Sequence, residues 1–149
     1  EVIYYSASGK KRSDEYRQVD LDTLLKESDI VSCHAPLNEK TYHLMDAEAF
    51  GKMKETALFI NVGRGPIVNE KDLAKALKKG KIAAAGLDVL EEEPMRKDNP
   101  LRKLEVGDRL LITPHIAWAA VEARTRLLHE VYKNLKAFQN GEKRNVCTH

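Results

Sequence analysis

Cysteine is nearly missing from this sequence: Cys33 and Cys147 are the only two in 149 residues. Two thiols so far apart make neither a metal-ligand spacing nor a disulfide framework, so no metal site is expected and a reducing cytoplasm is the expected location. A charge surplus is missing too. The 25 basic and 23 acidic side chains leave a formal net charge of +2, which gives no electrostatic footprint for nucleic acid or an anionic membrane surface. No apolar run approaches the ~20 residues that span a bilayer, and no leading segment has the pattern of a signal peptide. What remains is a chain that is 42% hydrophobic and 32% charged, long enough for about one soluble domain.

Apolar runs with strand character alternate with helical spacing. Val2 to Tyr5 reads as a strand, and its position at the very start of the chain leads us to expect an N-terminal portion before it. Ile30–Cys33, Ala57–Ile60, Ile82–Leu87 and Leu110–Thr113 read as four more strands. Between them, helices are expected behind the caps Asp20, Asp46 and Asn69, the last stopping at Gly80. The strands are nearly continuously apolar, which predicts a parallel sheet covered on both faces. His34, Asn61, Asp88 and His115 close the last four strands at a constant step of 27 residues, about the length of a βαβ unit. Pro94 and Pro100 interrupt the final step, leaving room for at most a short helix near Leu101–Leu104. A long helix is predicted over about 119–140, with Ala120, Ala123, Leu127, Val131, Leu135 and Phe138 on one face. The polar tail 142–149 has no clear partner.

Ligands of an open parallel sheet sit at the carboxyl ends of its strands. Those ends carry His34-Ala35-Pro36, Gly63-Arg64-Gly65, Asp88 through Glu93, and Pro114-His115. An arginine fork suits a carboxylate, flanking glycines allow close approach, and a carboxylate beside an imidazole holds the ring tautomer. The set fits a small anionic substrate whose reaction needs a proton. Each member also has a bland reading. Arg64 could be a surface arginine in a tight turn, Glu93 part of a solvated acidic run, Asp88 a cap and His115 a structural histidine. His34, His43, His129 and His149 show no partner pattern and read as structural or solvated.

The run Phe59-Ile60-Asn61-Val62-Gly63-Arg64-Gly65-Pro66-Ile67-Val68-Asn69-Glu70, then Ala84-Ala85-Gly86-Leu87-Asp88-Val89, Glu93-Pro94 and Thr113-Pro114-His115-Ile116-Ala117-Trp118-Ala119, resembles the D-isomer-specific 2-hydroxyacid dehydrogenases. Residues 116–119 look most like the glycerate dehydrogenase (hydroxypyruvate reductase) branch. The resemblance implies a Rossmann-like, doubly wound α/β sheet and a hydride transfer between a nicotinamide cofactor and a small 2-oxo/2-hydroxy acid of glycerate/hydroxypyruvate or glyoxylate type. It implies that Arg64 binds the substrate carboxylate and carbonyl, that His115 is the general acid, and that Glu93 pairs with it. Asp88 would bond the nicotinamide carboxamide. Ala35, Pro36 and Thr41 would touch the adenine side. Ser6, the Val62 and Gly63 backbone, Arg64, His115, Ala117 and Trp118 would complete the cofactor site.

Two departures qualify the match. The glycine-rich phosphate turn, the first strand that carries it and the substrate domain are all missing from these residues, so the sheet is expected to be incomplete and the fragment alone inactive. Where NAD-preferring members place an acid after the first strand here, this chain has Ser6, then Ala7-Ser8-Gly9 and Lys10-Lys11-Arg12, which permits the 2′-phosphate of NADP; NAD, the commoner choice of the family it resembles, is the expected cofactor, with NADP left open. The expected organisation is a partial dinucleotide-binding domain over 1–118, a helix over 119–140 packing on or linking to the substrate domain, and a tail over 141–149 directed toward it. The expected assembly is a homodimer that takes a 2-oxo acid and engages neither nucleic acid nor membrane. A corepressor-like, non-enzymatic NAD-binding regulator of the same fold is the alternative.

Overall fold

In the computed structural model, which describes residues 1–147, every strand pairing is parallel. β1 (Ile3–Tyr4) pairs with β2 (Arg17–Gln18) in a two-stranded sheet, and β3 (Ile30–Cys33), β4 (Leu58–Asn61), β5 (Ala84–Leu87) and β6 (Leu110–Ile112) form a four-stranded sheet in chain order. Parallel neighbours require crossovers; α2 (Ala47–Lys52) and α3 (Glu70–Lys78) lie in those of β3–β4 and β4–β5, while α1 (Leu21–Glu27) links β2 to β3. β2 went unrecognised in the sequence, since two exposed polar residues carry no period-2 signal.

The helices start where their caps dictate. Asp20 accepts from Thr23 N at 2.8 Å, Asp46 from Ala49 N at 2.9 Å and Asn69 from Asp72 N at 3.2 Å, each relieving one of the orphan amides of a first turn. Gly80, at φ 68°, follows α3 in the left-handed region that ends helices. α1 packs on α2 and α2 on α3. Together they bury Leu25, Phe50, Leu73 and Leu77 against Val31, Phe59, Ala85 and Leu87 of the sheet. Phe50 and Phe59 meet edge to face, with ring centroids 5.4 Å apart; such pairs contribute ~0.5–1.5 kcal/mol beyond their burial.

Among the described residues the helices α1 to α3 cover one face of the four-stranded sheet, and apolar side chains on the other face stand exposed. Strand register sets Val31, Phe59, Ala85 and Leu110 in one row on the helix side. The neighbouring residues point the other way, and Ile30 is 58%, Leu58 39% and Leu111 65% exposed. The 27-residue step is corrected. The row at the sheet's carboxyl edge is Cys33, Asn61, Leu87 and Ile112, so the crossovers are unequal and His115 lies three residues beyond its strand. The last crossover has no α-helix; turns at 101–103 and a 3₁₀ turn at Gly107–Arg109 replace it, anchored by buried Leu101 and Val106.

Residues 1–115 and 116–149 are separate compact units. The second holds α4 (Val121–Gln139). Its predicted apolar face is present but uncovered within the unit, with Leu127, Leu135 and Phe138 all exposed. The tail, expected to lack a partner, hooks back on this helix. Arg144 donates to Asn134 and Glu130, and Asn145 Nδ2 donates to Asn134 at 3.1 Å. Thr148 and His149 lie outside the described residues. No helix among the described residues is long and apolar enough to cross a membrane.

Candidate active site

The carboxyl edge of the sheet gathers the candidate residues on adjacent strands. Past β4, the buried side chain of Asn61 shapes the turn. Its Oδ1 accepts from Gly63 N and its Nδ2 donates to the Arg64 carbonyl, both at 3.0 Å. Asn61 has no exposure, so both ends of its amide are used to fix the backbone that presents Arg64. The Arg64 side chain is exposed, and its Nη1 donates to the Gly63 carbonyl at 2.8 Å. A guanidinium has five N–H donors, so donors remain for a ligand. A Cβ on Gly63 would stand 3.2 Å from the Ala35 carbonyl. The Val62-Gly63 backbone is thereby brought against the Ala35-Pro36 loop.

Past β5, Asp88 is buried, and Thr113 Oγ1 donates to its Oδ1 at 2.6 Å. Thr113 N donates to the Leu87 carbonyl at 2.9 Å. Thr113 therefore ties the ends of β5 and β6 together, a role the sequence reading missed, as it missed the brace made by Asn61. Both are small polar residues at strand ends, and a polar residue inside an apolar run was the available signal.

Glu93 and His115 meet. Glu93 Oε2 lies 2.8 Å from His115 Nδ1, while Oε1 accepts from Leu90 N at 3.0 Å. The bond to the His115 ring, with help from the Leu90 amide, holds the Glu93 carboxyl below the ordinary glutamate range despite partial burial. His115 has φ 54°. A non-glycine residue in the left-handed region is uncommon, and such positions concentrate at functional sites.

A separate cleft of about 910 Å³ opens between the edges of β1 and β3, lined by Ser6, Ser8, Arg12, His34, Ala35 and Pro36 among others. Arg64, Asp88, Glu93 and His115 do not line it. It is too large for a small acid alone and sits where the resemblance puts the adenosine end of a dinucleotide. Ser6 Oγ is 3.2 Å from Ser8 Oγ, which accepts from Arg12 Nη2 at 3.2 Å. Thr41 is placed inside the loop rather than on the cleft. It has no exposure, and its hydroxyl donates to the Pro36 carbonyl at 2.6 Å and accepts from Asn38 N at 2.9 Å. Ala117 and Trp118 belong to the second unit; Trp118 is 56% exposed. Among the described residues no cluster of His, Cys, Asp and Glu could hold a metal ion.

The profile of the D-isomer specific 2-hydroxyacid dehydrogenase NAD binding domain matches residues 1–117. Glyoxylate/hydroxypyruvate reductase B of Escherichia coli is 44% identical over 149 residues, covering 98% of this chain and 45% of that protein. D-lactate dehydrogenase from Lactobacillus jensenii, solved with NAD+, superposes with a TM-score of 0.84 at 29% identity, over 99% of this chain and 48% of that one. An acyclic imino acid reductase in complex with NADPH and D-Arg gives a TM-score of 0.86 at 34% identity, over 99% and 46%. The chain thus spans less than half the length of the curated relatives it matches. From the Arg64 turn to the Glu93–His115 pair, and along 117 of its residues, this chain belongs to the D-isomer-specific 2-hydroxyacid dehydrogenase family, as its NAD-binding, Rossmann-like domain.

Proposed function

We propose that the full-length protein is an NAD(P)-dependent oxidoreductase that interconverts a small 2-oxo acid, of glyoxylate or hydroxypyruvate type, and the matching D-2-hydroxy acid. The observation that carries this reading is the 2.8 Å contact between Glu93 and His115 at the sheet edge that also presents Arg64. Relatives named glyoxylate and hydroxypyruvate reductases support the substrate class.

The donor set fits a dinucleotide. Ser6, Ala35 and Pro36 line a cleft of suitable size for the adenosine end, the Val62 and Gly63 backbone lies beside it, and the buried acceptor Asp88 suits a carboxamide N–H. When bound, the nicotinamide ring supplies or accepts the hydride. The chain's own residues do the rest. Arg64 binds the substrate carboxylate and orients the 2-oxo group. Glu93 holds Nδ1 of His115, so Nε2 delivers the proton to the carbonyl oxygen during reduction and removes it in the reverse direction. A positioned acid–base group of this kind is worth ~10²–10⁴ in rate. From Ser6 to Arg12 the loop after β1 carries no acid, and Arg12 sits within hydrogen-bond reach of Ser8, an arrangement that suits a ribose hydroxyl or a 2′-phosphate.

The reading includes a homodimer, a cytoplasmic location, and α4 with its uncovered apolar face as the link to a substrate domain. The test is an assay of the full-length protein with glyoxylate, hydroxypyruvate and pyruvate against NADH and NADPH. Turnover of at least one 2-oxo acid is expected. Dinucleotide binding without any turnover would overturn the enzymatic reading.

A further inference from the structure

The loop that presents Arg64 and the loop that presents Glu93 are locked together at two points. The first is Gly65. A Cβ placed there would lie 1.7 Å from the Leu90 carbonyl oxygen and 2.5 Å from Glu91 N, so the backbone beside Arg64 rests directly on the backbone that donates to Glu93. The second is a reciprocal pair of acids. Glu91 N donates to Glu70 Oε1 at 2.7 Å, and Glu70 N donates to Glu91 Oε1 at 2.9 Å. Asn99 Nδ2 donates to the other Glu70 oxygen at 2.5 Å. Glu70 is 5% exposed.

A third loop joins them. His43 Nε2 is 3.5 Å from Glu91 Oε1, and His43 N donates to the Pro66 carbonyl at 2.8 Å. Burial, with the Glu91 charge adding to it, pushes the Glu70 carboxyl up. Desolvating an acid is costly. What the carboxylate supplies in return is two acceptor oxygens at fixed geometry, which hold the β5–β6 crossover at two points, Glu91 N and Asn99 Nδ2. From Glu91 the connection continues through Leu90 N to Glu93 Oε1, and from Glu93 Oε2 to His115.

We propose that Glu70 and Glu91 are positioning residues, a reciprocal clamp that sets the separation between the Arg64 fork and the Glu93–His115 pair. The proposal rests on the functional reading above. The clamp touches neither substrate nor cofactor; it acts by holding the carboxylate-binding and proton-transferring groups in one frame. Displacing a catalytic group by about 1 Å can cost ~10²-fold in rate, so a clamp two residues from Glu93 has leverage on the chemistry.

The test is a double-mutant cycle in the full-length protein with glyoxylate as substrate. Glu91, whose side chain is 36% exposed, tolerates truncation better than Glu70. Glu91→Ala is expected to lower kcat/KM by ~10–100-fold, with dinucleotide Kd within twofold of wild type. Glu91→Gln, which keeps the acceptor for Glu70 N, is expected to restore most of the loss. In an Arg64→Lys background, Glu91→Ala should cost several-fold less, because the group it misplaces is already impaired. Equal cost in both backgrounds, no cost at all, or a Gln variant as poor as Ala would overturn the clamp. Should Glu91→Ala not fold by circular dichroism, Glu70→Met, which roughly keeps the volume but removes both acceptor oxygens, runs the same cycle. Amide exchange separates this proposal from the functional reading. The Glu70 and Glu91 amides should be protected in wild type, and the amide that loses its acceptor, Glu70 in Glu91→Ala or Glu91 in Glu70→Met, should exchange at least tenfold faster. Rapid exchange in wild type would sink the clamp whatever the protein turns over; protected amides without turnover would sink only the functional reading.

Discussion

His115 Nδ1 and Glu93 Oε2 stand 2.8 Å apart although 22 residues separate them in the chain. The contact joins the early part of the β5–β6 crossover to the segment just past β6, and it uses the Nδ1 side of the ring. In the proposed reaction Nε2 is the nitrogen that transfers the proton, which sets the first prediction. His115→Gln in the full-length protein should lower kcat by ~10²–10⁴ while leaving dinucleotide affinity within a few-fold. Stopped-flow reduction together with cofactor titration measures both. Unchanged kcat would remove His115 from the proton-transfer role.

Arg64 predicts a different kinetic signature. A lysine keeps the charge but cannot present a planar fork. Arg64→Lys should raise KM for the 2-oxo acid by ~10–100-fold, the equivalent of losing one charge-assisted hydrogen bond of ~1.5–3 kcal/mol. Steady-state kinetics with glyoxylate decides it; a wild-type KM would argue against carboxylate binding at this position.

The depressed Glu93 carboxyl predicts a pH dependence of stability. An acid whose folded pKa lies below its unfolded value of ~4.3 adds stability that is fully present above that value and is lost as pH falls through the folded pKa. The stability difference between wild type and Glu93→Gln should therefore be constant near neutrality and shrink below about pH 4. Urea midpoints across a pH series measure it, and a difference that grows toward low pH would contradict the assigned cause.

Gly65 predicts a steric effect. Its φ is ordinary, so the requirement is space, not backbone freedom: Leu90 O occupies the position a Cβ would take. Gly65→Ala should destabilise by ~1–3 kcal/mol, as overpacking does, and should lower activity beyond that because the Arg64 turn must move. A wild-type urea midpoint for this variant would mean that the two loops part more easily than the geometry implies.

Much of this was legible in the sequence because the signals are local. Asp20, Asp46 and Asn69 cap helices by bonding amides two or three residues away, and they do so here. β3 to β6 announced themselves as short apolar runs, and Arg64, Asp88 and His115 follow strand ends that chain order alone could locate. The pairing of Glu93 with His115 was suggested by residue types at neighbouring strand ends and reinforced by the resemblance; its distance needed the fold.

What only the tertiary structure decided are relationships between segments distant in sequence. Strand register turned Ile30, Leu58 and Leu111 toward an uncovered face, which a run of apolar residues cannot disclose. Thr41 became a loop brace because its hydroxyl found the Pro36 carbonyl. The Arg144 contact with Glu130 gave the tail a partner. The Glu70–Glu91 clamp arises only when α3 and the loop past β5 pack side by side. The physical reason is common to all of these. Propensity and capping act over a few residues of chain, whereas burial and acceptor geometry depend on what folding brings opposite each side chain.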